Sequence, residues 1–261
     1  MSGIERIAAA FAGHPRRAAL MPYMMGGFPD PATSRAIGEA YATAGSDLVE
    51  LGIPFSDPLA DGAVIHAAGT RALRQGVTPE VVLELAAPLA TRVPVVVMCY
   101  ANPIFARGMD AFVSGLAAAG VSGLIVPDLP MEEAPALLER CDAAGVALVP
   151  LVAPTTAGER LEVLGSRARG FVYAVSLTGT TGERDALEGG LAAMLERVKA
   201  HTDVPVAVGF GIATPEQAAG AAAAGADGVI VGTRLVRAAA EADDPPAAVG
   251  ELLAAMAEAL S

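Results

Sequence analysis

The sequence is short of the side chains on which covalent and metal-assisted catalysis most often depend. Among 261 residues there is one lysine, Lys199, and there are three histidines, His14, His66 and His201. Schiff-base chemistry needs a lysine in the pocket, and Lys199 falls on a predicted outer helix. Metal chemistry needs ligands that cluster. The three histidines sit on an N-terminal segment, a loop helix and a helix end, so no metal or other cofactor is expected. The two cysteines, Cys99 and Cys141, lie in apolar or helical contexts. They suggest neither a disulfide framework nor a metal set, and they fit a reducing cytoplasm. No apolar run is long enough to span a bilayer, and Met1–Leu20 lacks a secretory cleavage pattern. A formal net charge of -12 argues against nucleic-acid and anionic-membrane partners. It leaves room for an anionic small ligand, because backbone amides bind phosphate without net positive charge.

What the chain has is alternation. It is 53% hydrophobic, enough for a large core. Strands are predicted at Ala19–Met25, Leu48–Ile53, Val93–Cys99, Gly123–Val126, Val146–Val152, Gly170–Val175, Pro205–Val208 and Gly228–Val231. Helices are predicted at Pro31–Ala44, Pro79–Thr91, Met109–Ala119, Glu132–Ala144, Ala157–Ala168, Gly190–His201, Pro215–Ala224 and Ala247–Leu260. Thr78-Pro79 and Thr214-Pro215 are start signals, and Gly45, Gly120, Gly145 and Gly225 are stop signals. Ile4, Ile7 and Phe11 fit a short amphipathic helix before the first strand, and a further helix, Ala63–Arg74, follows the second. Strand–helix alternation over this length predicts an α/β fold, a (β/α)₈ TIM barrel with these two extra helices, as one domain over residues 1–261. An open doubly wound sheet is the alternative. However, Met25-Gly26-Gly27-Phe28-Pro29 after the first strand is not the dinucleotide fingerprint.

In a barrel, loops at the C-terminal strand ends build the site. The stretch Asp47–Gly62 stands out there. Glu50 interrupts an apolar strand, where an isolated carboxylate is costly to bury, and Asp61 lies in the loop that follows. Together they read as an acid/base pair or as a strand-end acid bonded to loop amides beside turn acids. Spacing alone does not separate these, and position in a barrel favours the first. Three glycine-containing segments, Thr178–Gly182, Gly209–Ile212 and Gly232-Thr233, follow the last three strands, where such barrels often hold phosphate. With no lysine there, amides and the Thr233 hydroxyl are the expected donors.

These residues together resemble the tryptophan synthase alpha chain family over nearly the whole sequence. The resemblance is carried by Glu50–Gly62, Tyr100-Ala101-Asn102-Pro103, Pro127-Asp128-Leu129-Pro130, Thr178–Gly182 and Gly209–Ile212. It implies cleavage of indole-3-glycerol phosphate to indole and glyceraldehyde 3-phosphate in tryptophan biosynthesis. It also implies a pyridoxal-phosphate beta subunit as partner in an alpha2-beta2 heterotetramer. By resemblance, Glu50 is the acid/base glutamate and Asp61 the indole-binding aspartate. Tyr173 stands near the reacting carbons, and Met98 and Tyr100 stand around the ring. Gly182, Phe210, Gly211, Gly232 and Thr233 fall on the phosphate side. The chain departs from the family pattern at Ala63, His66, Leu177, Thr180 and Thr233, the last keeping a hydroxyl where serine is common.

With lysine and metal routes excluded by composition, carboxylate acid/base catalysis remains. Burial in its apolar strand should raise the Glu50 pKa. Asp61 should hold the ring N–H, and Phe210, Leu59 and Met98 are candidates to wall the ring. The segment Ser176–Gly189 is expected to act as a mobile lid. Alternatives are a stand-alone lyase releasing indole, a weakly catalytic subunit that activates a beta partner, and another phosphate-binding barrel isomerase.

Overall fold

The computed structural model describes residues 1–175, 184–209 and 211–261, with backbone alone for 184–189. The chain begins with α1 (Gly3–Gly13), β1 (Ala19–Met25), α2 (Pro31–Thr43), β2 (Val49–Gly52), α3 (Ala63–Arg74) and α4 (Pro79–Ala90). It continues through β3 (Val95–Met98), α5 (Ala101–Arg107), α6 (Met109–Ala118), β4 (Gly123–Ile125), α7 (Pro135–Ala144), β5 (Ala147–Val149) and β6 (Leu151–Val152). The last part comprises α8 (Gly158–Arg167), β7 (Val172–Val175), α9 (Arg184–Lys199), β8 (Val206–Gly209), α10 (Pro215–Ala223), β9 (Gly228–Val231), α11 (Thr233–Glu241) and α12 (Pro245–Ala259).

All strand pairs are parallel, in the order β5-β4-β3-β2-β1-β9-β8-β7-β6. The ends of that order, β5 and β6, are consecutive in the chain and are two halves of one predicted strand. The first half pairs with β4 and the second with β7. Pro150 lies between them and has no N–H to give to a ladder, while its carbonyl accepts from Tyr173 N at 2.9 Å. The predicted eight-stave barrel therefore forms, with one stave changing neighbours at a proline.

Local chemistry sets the helix ends. Ser2 and Glu5 form a reciprocal capping box on α1, as do Thr214 and Gln217 on α10, and Asp30 caps α2 ahead of Pro31. Gly45, Gly120, Gly145 and Gly225 all carry positive φ, from 70° to 100°, which L side chains adopt reluctantly. Helix α7 starts at Pro135, later than the predicted Glu132, because proline restricts the residue before it and suits the first helical position. Helix α9 starts at Arg184, earlier than the predicted Gly190. Gly189-Gly190 reads as a break in sequence but costs only about 1 kcal/mol per glycine inside a helix. Two helices had no counterpart in the sequence reading, α5 and α11.

Side-chain parity divides the core in two. Residues facing inward, including Met21, Leu48, Val96, Ile125, Phe171, Ala207 and Ile230, fill the barrel lumen together with Ile7 from α1. Their strand neighbours, such as Leu20, Val49, Val97 and Val172, face the outer helices in a separate cluster. Helix α1 closes the N-terminal mouth. Ile7 is fully buried, and Phe11 packs on Phe171 with ring centroids 5.8 Å apart.

Candidate active site

At the other mouth the lumen opens into a cavity of about 340 Å³. Glu50, Asp61, Met98, Tyr173, Gly211, Gly232 and Thr233 line it, joined by Tyr23, Ile65, Ile212, Arg234 and Arg237. Glu50 points there by parity: Leu48 faces the lumen, whereas Val49 and Leu51 face the helices. It is 1% exposed, and its Oε2 is buried and without a hydrogen-bond partner among the described residues. Burial first, and the charge of Asp61 second, push its carboxyl up to about 8.

Asp61 lines the same cavity from the loop after β2. Its Oδ1 accepts from the Tyr100 hydroxyl at 2.8 Å, and that hydroxyl accepts from Ala60 N at 3.0 Å. The Tyr100 ring is stacked on Phe55 at 5.3 Å. Burial raises the Asp61 pKa, while the Tyr100 bond and nearby His66 pull it down. Tyr100 is thus a brace for Asp61. Expected against the ring, it is not among the residues lining the cavity. Leu59, also expected there, is 90% exposed. Asp57 is exposed and accepts from Ser56 Oγ at 2.5 Å. Asp128 accepts from Ala101 N at 2.8 Å, tying the loop after β4 to the start of α5.

Two tyrosines flank Glu50. Tyr173 on β7 reaches over Gly209, and Tyr23 on β1 reaches over Gly52; a Cβ at either glycine would collide with the phenol oxygen. Met98 borders the same space from β3. At the far end Gly211 has φ 85°, Gly232 precedes α11, and Thr233 opens it. Intrahelical bonding begins with Leu235 N and Val236 N to Gly232 O, so the amides of Thr233 and Arg234 come before it. Such amides favour anions. Arg234 and Arg237, three apart on α11, bring positive charge to the same end. The sequence reading missed them because it placed no helix at Thr233; the signal was Thr233-Arg234-Leu235-Val236-Arg237 read at helical period. It also missed Tyr23, whose parity with Glu50 depends on strand register.

Gly182, Phe210, Leu177 and Thr180 lie outside the described residues. Of the segment Ser176–Gly189, expected as one mobile loop, the part from Arg184 is helical. Lys199 is bound to Asp227 at 2.7 Å, and the same aspartate accepts from Val206 N at the start of β8, away from the cavity. Among the described residues no three His, Cys, Asp or Glu gather as a metal set. No helix among them is long and apolar enough to cross a membrane. A smaller cavity of about 190 Å³ contains Asp128 and Arg160. Both are engaged, Arg160 with Glu132 at 2.9 Å.

A family model described as tryptophan synthase alpha chain matches residues 10–260. The chain belongs to the tryptophan synthase alpha chain family. It is 50% identical over 236 residues to the alpha chain of Gloeobacter violaceus, covering 89% of this chain and 86% of that one. With the Prochlorococcus marinus alpha chain it shares 48% over 223 residues, 85% of this chain and 81% of that one. Tryptophan synthase from M. tuberculosis in an aminoacrylate-bound form superposes with a TM-score of 0.89 at 37% identity, over 98% of this chain and 99% of that one. The alpha subunit from Legionella pneumophila str. Paris gives 0.89 at 36% identity, over 100% and 98%. Ala63 opens α3, and His66 is exposed on its first turn, beside Asp61.

Proposed function

We infer that the chain catalyses the alpha reaction of tryptophan biosynthesis, cleaving indole-3-glycerol phosphate to indole and glyceraldehyde 3-phosphate. The observation that carries the assignment to this cavity is its polarity. A buried, proton-retaining Glu50 and a braced Asp61 stand at one end, with helix-start amides and two arginines at the other.

Glu50 starts protonated. Its proton goes to C3 of the indole ring, making the ring an electron sink. The carbon–carbon bond to the glycerol then breaks and its electron pair returns to the ring. The hydroxyl on the adjacent carbon loses its proton to the Glu50 carboxylate and becomes the aldehyde. Glu50 ends as it began, so one group with a pKa near the working pH serves both steps. Asp61 holds the ring N–H and offsets the positive charge that develops on protonation. Tyr173 stands beside the reacting carbons, and Met98 and Ile65 border the ring. Gly211, Gly232 and Thr233 take the phosphate with the help of Arg234; Gly182 and Phe210 join them by family pattern.

The partner is a tryptophan synthase beta subunit, which consumes the indole. We place the protein in the cytoplasm, a setting that suits two buried free cysteines, and read its 261 residues as one catalytic unit. A coupled assay of the purified chain on indole-3-glycerol phosphate, with and without a beta subunit, tests this. Slow turnover alone and at least ~10-fold acceleration by the partner, about 1.4 kcal/mol of barrier, are expected. Equal rates and no complex by sedimentation would instead favour a stand-alone lyase.

A further inference from the structure

Tyr23 is a buried titratable group to which the scheme above assigns no task. It lines the cavity, and strand register sets it directly beside Glu50 on the neighbouring stave. Its ring crosses the cavity floor between two glycines. A Cβ at Gly232 on one side would lie 3.6 Å from Tyr23 Cβ, and one at Gly52 on the other would strike the hydroxyl. Gly52 is two residues beyond Glu50 on the same inward face, roughly 7 Å along the strand. A glutamate side chain leaning along its strand covers much of that span.

We propose that the Tyr23 hydroxyl is a positioning residue for Glu50, donating a hydrogen bond to the carboxylate in the interval when the proton is on the substrate. This rests on the acid/base role given to Glu50 above. A carboxylate there needs a donor, because a buried anion without one is strongly disfavoured. Among the described residues, the titratable groups facing Glu50 are Tyr23 from β1, Asp61 from the loop after β2 and Tyr173 from β7. Asp61 repels the anion and no cation stands among them, so phenols are the available donors. Tyr23 is suited to the task because burial, and then the charges of Asp61 and Glu50, hold its own proton on well above the usual phenol range.

The test is Tyr23→Phe, which keeps the ring and removes the donor. Relative to the parent, kcat on indole-3-glycerol phosphate should fall about tenfold with KM within about twofold, the scale of one hydrogen bond to a charged group. The alkaline limb of kcat/KM should move up by about one pH unit, since the anion alone loses stabilisation. Difference infrared spectroscopy gives a readout without turnover. The carbonyl band of protonated Glu50, identified by its loss in Glu50→Gln, should persist to higher pH in Tyr23→Phe by the same amount. A merely structural tyrosine would lower the melting temperature and leave both titrations in place. An unshifted infrared titration overturns the proposal whatever turnover does. A parent chain inactive on the substrate would overturn the functional reading, while a shifted infrared band would still report the Tyr23–Glu50 bond.

Discussion

The two mouths of the barrel are built from the same staves and differ by one layer of side chains. On β1 the inward residue changes from Met21 to Tyr23, on the β2 stave from Leu48 to Glu50, and into β7 from Phe171 to Tyr173. The lower layer is apolar, fully packed and closed by Ile7 and Phe11 of α1. The upper layer keeps its burial and changes its chemistry, so a carboxyl sits on top of a hydrocarbon floor and its pKa is pushed up to about 8. The apolar layer directly beneath Glu50, rather than the plug below it, supplies the low-dielectric side that gives this carboxyl a pKa useful for proton transfer at neutral pH.

The sharpest break of this contrast is Glu50→Gln, which makes the upper layer as inert as the lower one. Turnover should fall by about two to four orders of magnitude, the usual scale for a general acid/base, with circular dichroism unchanged. The same variant tests the electrostatics. Glu50 titrates at 4.5 when solvated and at about 8 in the fold. Between those values the folded state holds a proton that the unfolded state has lost, so this group makes the parent less stable as pH rises through the interval. Melting temperatures of parent and Glu50→Gln should therefore coincide near pH 4.5 and separate towards pH 8, the variant being the more stable. Parallel curves would mean that Glu50 is not held protonated.

Asp61→Asn should be the next largest loss, about 100-fold in cleavage on the scale of one charge-stabilising group. Glycerol phosphate should still bind, because the arginine end of the cavity is untouched. Calorimetry showing loss of glycerol phosphate binding with ring recognition spared would reverse the assigned division of the site. From the other mouth, Ile7→Ala should lower unfolding free energy by about 2–5 kcal/mol, as for a fully buried aliphatic residue, while kcat of the folded fraction stays at the parent value. A large fall in kcat with normal stability would show that the plug and the site are not separable. The smallest effect is expected from Tyr100→Phe, which removes the brace on Asp61 and leaves its charge. About a tenfold fall in kcat/KM is expected, read by steady-state kinetics alongside Asp61→Asn. In the double variant the two losses should not add, since one acts through the other.

Much of the fold was legible because local signals agree with it. Ala19–Met25 and Gly228–Val231 were bounded correctly as strands, and Ala63–Arg74 as a helix. Turn glycines and Thr-Pro or Asp-Pro starts mark ends by backbone chemistry that needs no tertiary partner. The misses have a common cause. In α5, Asn102 and Pro103 read as loop residues but lie in the first turn, where a missing N–H costs nothing. In α11, Gly232-Thr233 reads as a loop and also opens a helix. Both helices begin directly after a strand, where short-range signals for turn and helix start overlap.

The amino-acid sequence by itself determined the alternation of elements, the absence of a pocket lysine, and the pairing of Glu50 with Asp61 in one motif, since each depends on composition or near neighbours along the chain. Only the tertiary structure decided which tyrosines stand beside Glu50, that Tyr100 braces Asp61, and that Arg234 and Arg237 line the same cavity. Those relations join residues far apart in the chain, 39 positions in the case of Tyr100 and Asp61. They are set by strand register and barrel closure, which no local propensity encodes.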